Sequence, residues 1–250
     1  MAAPTPPPTT FAEVLSEQLR ADAGRPLVTF YDDASGERVE LSVTTYANWV
    51  AKAASLLVDD LDLERGDRLQ VDLPAHWLGT VFLGAAWTAG LVVVDRDPDA
   101  VVCGPDGLAT WASRAADLPV LACALLPMGV RFADPVPPGV HDVGVEIWGQ
   151  PDAFTPWDPP DGDDVAHDLD GESVTQATLW SAAAAGTLVA DGGRLLSETN
   201  PASPPGIATF AEPLLRGGSL VLVTRAGRER VEATYAAERA TARFPARGPA

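Results

Sequence analysis

The chain has 250 residues and a formal net charge of −18 at pH 7, with 35 acidic against 17 basic side chains. A field of that sign repels a polyanion, which excludes nucleic acid as a partner and works against ATP unless a local site overrides it. The apolar fraction of 46% can bury one sizeable core or two small lobes, and Pro and Gly, at 23 and 22 residues, stay below the low-complexity range.

The first ten residues, "MAAPTPPPTT", hold no basic residue and no apolar run, so they are not read as a signal peptide. Their prolines predict a disordered tail over 1–10. "FAEVLSEQLRA" then sets Phe11, Val14, Leu15 and Leu19 at helical spacing, with Thr10 as N-cap. "PLVTFYD" and "ERVELSV" are β-rich and joined by "DASG", which reads as a hairpin. "TTYANWVAKAASLLVDD" is a second amphipathic helix with Tyr46, Trp49, Val50, Ala53 and Leu57 as its stripe. Lys52, the only lysine of the chain, lies off that stripe.

From Trp77 to Val94 no side chain is charged, which raises the possibility of a membrane span. The pattern divides it instead into a helix from His76 to Ala89, a C-cap at Gly90 and the strand "LVVVD". A helix of about 14 residues is too short to cross the hydrocarbon, and the "DRD" flank is acidic rather than positive. No membrane partner is expected.

"DAVVCG", "GLATWASRAAD" and "LPVLACALL" form another strand–helix–strand unit. Strands are expected near Leu27–Tyr31, Leu69–Leu73, Val92–Val94, Val101–Cys103, Val120–Cys123 and Leu220–Thr224. The alternation predicts an α/β fold with mainly parallel sheets and crossover helices. Residues 11–127 read as a first lobe, 128–171 as an irregular Pro- and Asp-rich connection, and 172–250 as a second lobe. That second lobe runs through "SVTQATLWSAAAAGTLV", "RLLSET", "IATFAEPLLRG", "GSLVLVT", "RERVEATYAAERA" and "TARF".

Chemistry-bearing patterns are sparse. Cys103 and Cys123 sit in apolar runs and are expected as buried thiols in a reducing compartment, hence a cytoplasmic location. His76, His141 and His167 are scattered and read as surface or turn residues rather than metal ligands. "DPPDGDDVAHDLDGE", Asp158 to Glu172, breaks the register of a calcium loop at Val165 and His167 and reads as a solvated acidic linker. No Walker A loop, dinucleotide fingerprint, nucleophile elbow or paired-histidine signature is present.

Taken in order, "ELSVTTYANWVAKAASLL", "RGDRLQVDLPAHWLGTVFLGAAWTAGLVVVD", "VTQATLWSAAAAGTLVADGGRLLSETNP", "EPLLRGGSLVLV" and "YAAERATARFPA" resemble the N-terminal half of the AMP-forming acyl-CoA synthetase and adenylation-domain superfamily. The chain is also similar to actinobacterial proteins of unassigned function related distantly to those synthetases. The resemblance implies the fold of a truncated synthetase N-terminal domain, and an ATP-dependent, AMP-forming ligase as the ancestral activity.

The departures point away from that activity. The family grips phosphates with "TSGTTGxPKG" just before "lTHxnL". Here the residues before Val174 are "DVAHDLDGES", with one Gly, no Lys and four carboxylates. The family's His is Gln176, and the aromatic or His expected after "lP" falls in "ASPPG", Ala202 to Gly206. The family's adenine-binding strand, ribose-binding Asp and mobile C-terminal domain correspond to text beyond Ala250. Losing one preorganised electrostatic donor costs about 2.7–4 kcal/mol of transition-state stabilisation, and here most of the set is missing. Arg194, Arg216 and Arg225 are the arginines nearest in sequence that could compensate.

The expectation is a non-catalytic synthetase-like scaffold that binds a protein partner or an acyl-type ligand. The alternative is a synthetase-like enzyme with repurposed or partner-completed chemistry. No catalytic, cofactor-binding or metal-binding residue is nominated, and no cofactor. An open strand edge after "TARF" is expected to be covered partly by Phe132, Ile147, Trp148, Phe154 and Trp157, and partly by a homodimer or partner contact, against the alternative of a resized monomeric core.

Overall fold

The computed structural model describes residues 7–246. Thr9 and Thr10 already belong to the fold. Thr10 caps helix α1 (Phe11–Asp22) in a reciprocal capping box with Glu13, whose carboxylate also accepts the Thr9 N–H at 2.7 Å. The tail expected over 1–10 therefore ends earlier than the composition suggests, and its first six residues lie outside the described ones.

Strands β1 (Pro26–Asp32) and β2 (Glu37–Ser42) form the expected antiparallel hairpin and lead into α2 (Val43–Ser55), which runs on as a π-turn over Leu56–Asp60. Then follow β3 (Arg68–Asp72), α3 (Trp77–Ala89), β4 (Val92–Val94), β5 (Ala100–Cys103), α4 (Pro105–Ala112) and β6 (Val120–Ala122). The chain continues through β7 (Val140–Asp142), α5 (Val143–Glu146), β8 (Val165–Leu169), β9 (Glu172–Thr175) and α6 (Gln176–Ala185). It ends with β10 (Arg194–Ser197), α7 (Ile207–Leu215), β11 (Ser219–Thr224), α8 (Arg228–Ala237) and β12 (Ala242–Phe244).

Two sheets result, in the orders β12-β10-β11-β1-β2 and β7-β6-β5-β3-β4-β8-β9. All pairings are parallel except the two hairpins, β1–β2 and β8–β9, each of which closes one edge. The fold is thus the mainly parallel α/β architecture that the alternation predicts. The main core lies between the sheets. It holds α3 with Phe11 and Val14 of α1, Tyr46 and Val50 of α2, Trp180 of α6 and Phe210 of α7. A second cluster under α4 covers the outer face of the seven-stranded sheet, and a third under α8 covers the five-stranded one.

Helix α3 explains the uncharged stretch. Twelve of its thirteen residues are buried, and it is capped by His76 and by left-handed Gly90, as the sequence implies. Being covered on every side, it needs no polar face. No helix among the described residues is long and apolar enough to cross a membrane. Its closest neighbour approaches at Gly84, where a Cβ would meet the Tyr46 hydroxyl at 2.3 Å and Phe11 Cζ at 2.9 Å.

Three expectations need correction. The lobes 11–127 and 172–250 are not separate bodies: β1 pairs with β11 from Val28↔Leu220 to Asp32↔Thr224, and β4 pairs with β8 at Val93↔His167. Apolar strands from both halves complete one another's sheets. The stretch 128–171 is not irregular throughout, because β7 forms the edge of the larger sheet and β8 lies inside it. Nor do the aromatics of that stretch cover the β12 edge. Ile147 enters the main core, Phe154 packs against it and Phe132 joins the cluster under α4, while none of these side chains enters the cluster beside β12. Trp148 and Trp157 remain 53% and 95% exposed.

Candidate functional site

The segment that the resemblance aligns with the phosphate loop folds as the tight end of the β8–β9 hairpin. Leu169 pairs with Glu172, leaving Asp170 (φ 53°) and Gly171 (φ 80°) as the two loop residues. Two successive positive-φ residues are what a type I′ hairpin requires, and Asp-Gly is a preferred pair for it. No row of backbone N–H groups is left open to cradle a phosphate, and the turn carries Asp170 and Glu172 in its place. Gln176, where the family has histidine, is buried. Its Oε1 accepts the Phe11 N–H at 2.8 Å and its Nε2 donates to the Trp87 carbonyl at 2.9 Å, so it ties α1, α3 and α6 together and presents nothing to a ligand.

The three arginines that could compensate are engaged elsewhere. Arg194 pairs with Glu238 and bonds Thr29 and Ser219. Arg216 pairs with Asp191 and Glu212 and donates to the carbonyls of Ala184 and Gly186. Arg225 grips both oxygens of Asp32. The Asp170–Gly171 turn and these three arginines, as placed, do not fit a nucleoside triphosphate.

Beside the hairpin, between α6 and α7, lies a groove of about 640 Å³ with mainly apolar walls, including Leu169, Leu179, Ala183, Ile207 and Ala211. Asp170 and Glu172 stand on its hairpin side and Phe244 of β12 on another. Two buried polar side chains touch it. His167 in β8 has an Nδ1 without a partner, and burial pushes its pKa down although Glu172 and Asp168 oppose the shift. Glu212 of α7 accepts the Val189 N–H at 3.0 Å and pairs with Arg216 at 3.5 Å.

A second cleft, of about 590 Å³, opens where the carboxyl ends of β1, β3, β10 and β11 converge. His76 lies in its wall, 4% exposed. Nδ1 of His76 accepts the Leu78 N–H at 3.2 Å, which places the ring proton on Nε2, facing Glu37 Oε2 at 4.0 Å. Burial, with Asp32 opposing it, holds the His76 pKa down at about 3, and burial pushes that of Glu37 up. Burial also raises Asp32, but hydrogen bonds from Arg225, Ser35 and the Ala34 N–H outweigh it and set that carboxyl at about 2. A histidine with so low a pKa stays neutral near pH 7.

His76 and His167 are buried, against the surface or turn positions expected for them, because the α3 N-cap and the interior strand β8 both lie inside the fold. His141 is partly exposed and pairs with Glu146 at 3.0 Å. Cys103 and Cys123 are buried and free, as expected. Among the described residues no group of three or more His, Cys, Asp or Glu could hold a metal ion. The acidic linker keeps Asp158 and Asp161 largely in solvent, as expected, while Asp164 is mostly covered, and all three pair with Arg65. The sequence signals for the hairpin and the groove were "LDGE" between alternating residues and the small-residue run Ala182 to Ala185. The His76–Glu37 proximity had none, because it joins residues far apart in the chain.

The fold is that of the N-terminal domain of acyl-CoA synthetases. A Brucella canis acyl-CoA synthetase superposes with a TM-score of 0.77 at 15% identity, over 92% of this chain and 46% of that one. The N-terminal domain of FACL13 from Mycobacterium tuberculosis gives 0.70 at 16% identity, over 92% and 61%. The chain thus spans about half the length of the full synthetases it matches. No family model matches it. A "TIGR03089 family protein" of Mycobacterium tuberculosis is 35% identical over 249 residues, covering 95% of this chain and 98% of the relative. The chain belongs to the TIGR03089 family.

Proposed function

We propose that this chain is a non-catalytic, synthetase-like domain that holds an acyl-type ligand in the groove between α6 and α7. The observation that supports this reading is the pairing of apolar groove walls with an acidic two-residue turn where the fold's enzymes would need a phosphate loop. Apolar walls favour burial of a hydrocarbon chain at about 25 cal/mol per Å². Asp170 and Glu172 repel phosphate and carboxylate alike, so a neutral acyl group, as in an ester or amide, suits the groove better than a free acid. The two buried thiols fit work in a reducing cytoplasm.

Titration with a fluorescent long-chain acyl ester tests the reading. Saturable binding is expected, stronger than that of the matching free acid at pH 7. Ala208 lines the groove and its side chain is exposed, so Ala208→Trp should block binding while leaving the melting temperature unchanged. Ester binding that survives Ala208→Trp, or acyl-adenylate formation from ATP and a free acid, would overturn the proposal.

A further inference from the structure

Trp157 is the most exposed large apolar side chain among the described residues, at 95%. Trp is highly buried on average, and this one stands at the edge of a concave apolar surface rather than alone. It forms one wall of a groove of about 550 Å³ on the side of the fold away from the hairpin turn, with Val58, Leu63, Ala89 and Pro156 as its apolar floor. The rim carries Asp59, Asp62, Glu64 and Asp158. Asp62 and Glu64 are exposed and their side chains have no partner among the described residues. The one cation of the rim, Arg65, is already saturated by Asp158, Asp161 and Asp164 at 3.1, 3.3 and 2.8 Å.

The indole is held out rather than left loose. On one side of it, Lys52 donates to the Gln150 carbonyl and pairs with Asp152 at 3.1 Å, while the Gln150 amide reaches Asp60. On the other side Arg65 binds Asp158, Asp161, Asp164 and the Pro159 carbonyl. Pro156, Pro159 and Pro160 stiffen what lies between. The opposite wall comes from the π-turn Leu56–Asp60 and from Asp62, a non-glycine residue at φ 56°. An aromatic presented by a pinned loop loses little freedom when it is covered.

We infer that this groove is a docking surface for a basic segment of a partner protein. Charge chooses the occupant. A guanidinium or ammonium group can lie on the face of Trp157 and reach the carboxylates of Asp62 and Glu64, whereas an acidic or purely apolar segment would leave those carboxylates facing it unpaired. The only lysine of the chain acts here as a loop anchor, which gives Lys52 a use that does not involve phosphate.

The test is fluorescence anisotropy with a labelled oligoarginine peptide against the whole chain, at low and at physiological salt. Binding should weaken about tenfold or more for Trp157→Ala and less for Trp157→Phe. It should also weaken for Asp62→Asn combined with Glu64→Gln. Neutralising Glu229 on α8, which takes no part in the groove, should leave it unchanged. The indole is exposed, so Trp157→Ala should keep the wild-type melting temperature. Equal affinity of wild type and Trp157→Ala would show that the peptide reads only the overall negative charge, and would overturn the inference. So would an absence of binding at low salt, or equally tight binding of an oligoglutamate peptide.

Discussion

At Gly84 a Cβ would sit 2.3 Å from the Tyr46 hydroxyl and 2.8 Å from Val50 Cγ2, and that hydroxyl is fixed by its bond to the Thr80 carbonyl at 2.8 Å. Gly84→Ala should therefore cost about 1–3 kcal/mol by overpacking, read as a lower urea midpoint at unchanged slope. An unshifted midpoint would mean that α3 can move away from α2. His76 supplies a second prediction at the same scale. Its pKa falls from 6.5 unfolded to about 3 folded, so between those values the unfolded chain binds the extra proton. The stability it contributes is complete above pH 6.5 and is lost as pH falls toward 3. Asp32, lowered from 3.8 to about 2, acts in the same direction further down, while the raised Glu37 acts oppositely. His76→Asn puts an amide oxygen where Nδ1 accepts the Leu78 N–H and removes the titration. It should abolish about 1–2 kcal/mol of the wild-type loss between pH 6.5 and 5. Denaturant curves at both pH values check this, and an unchanged pH slope would contradict it.

At the scale of elements, Arg65 is the peg on which the 158–164 segment hangs. Arg65→Ala should raise amide exchange across 157–164 while α3, buried on all sides, keeps its protection. Exchange that stayed at wild-type levels would show that the prolines alone fix the loop. The same segment shows what could be read in advance. Long periodic elements were legible, since α1, α2, α3 and most strands of the parallel core fall within a residue or two of where the apolar pattern sets them. The strands β7 and β8 were not, because three to five residues in Pro- and Asp-rich text carry too little period to outweigh their surroundings. The candidate groove was half legible. "LDGE" excludes a phosphate loop as soon as it is recognised as a hairpin turn, whereas the groove walls bring together β8, α6, α7 and β12. Trp157 is exposed where the sequence predicts it packed, because an aromatic in an irregular stretch is more often packed than presented.

For the molecule as a whole, interleaved sheets around a shared core imply one cooperative unit. Urea unfolding followed by tryptophan fluorescence and by far-UV circular dichroism should give coincident single transitions. Two transitions, each melting one of the chain segments 11–127 and 172–250, would contradict the strand exchange of β1 with β11 and β4 with β8. On the proposed function, a synthetase fold here serves acyl binding without nucleotide chemistry. Titrating the fluorescent acyl ester with and without ATP·Mg²⁺ tests it most directly. One saturable isotherm is expected, unshifted by ATP·Mg²⁺. An affinity that changes with ATP·Mg²⁺ would contradict it, because it would mean that a nucleotide site couples to the groove.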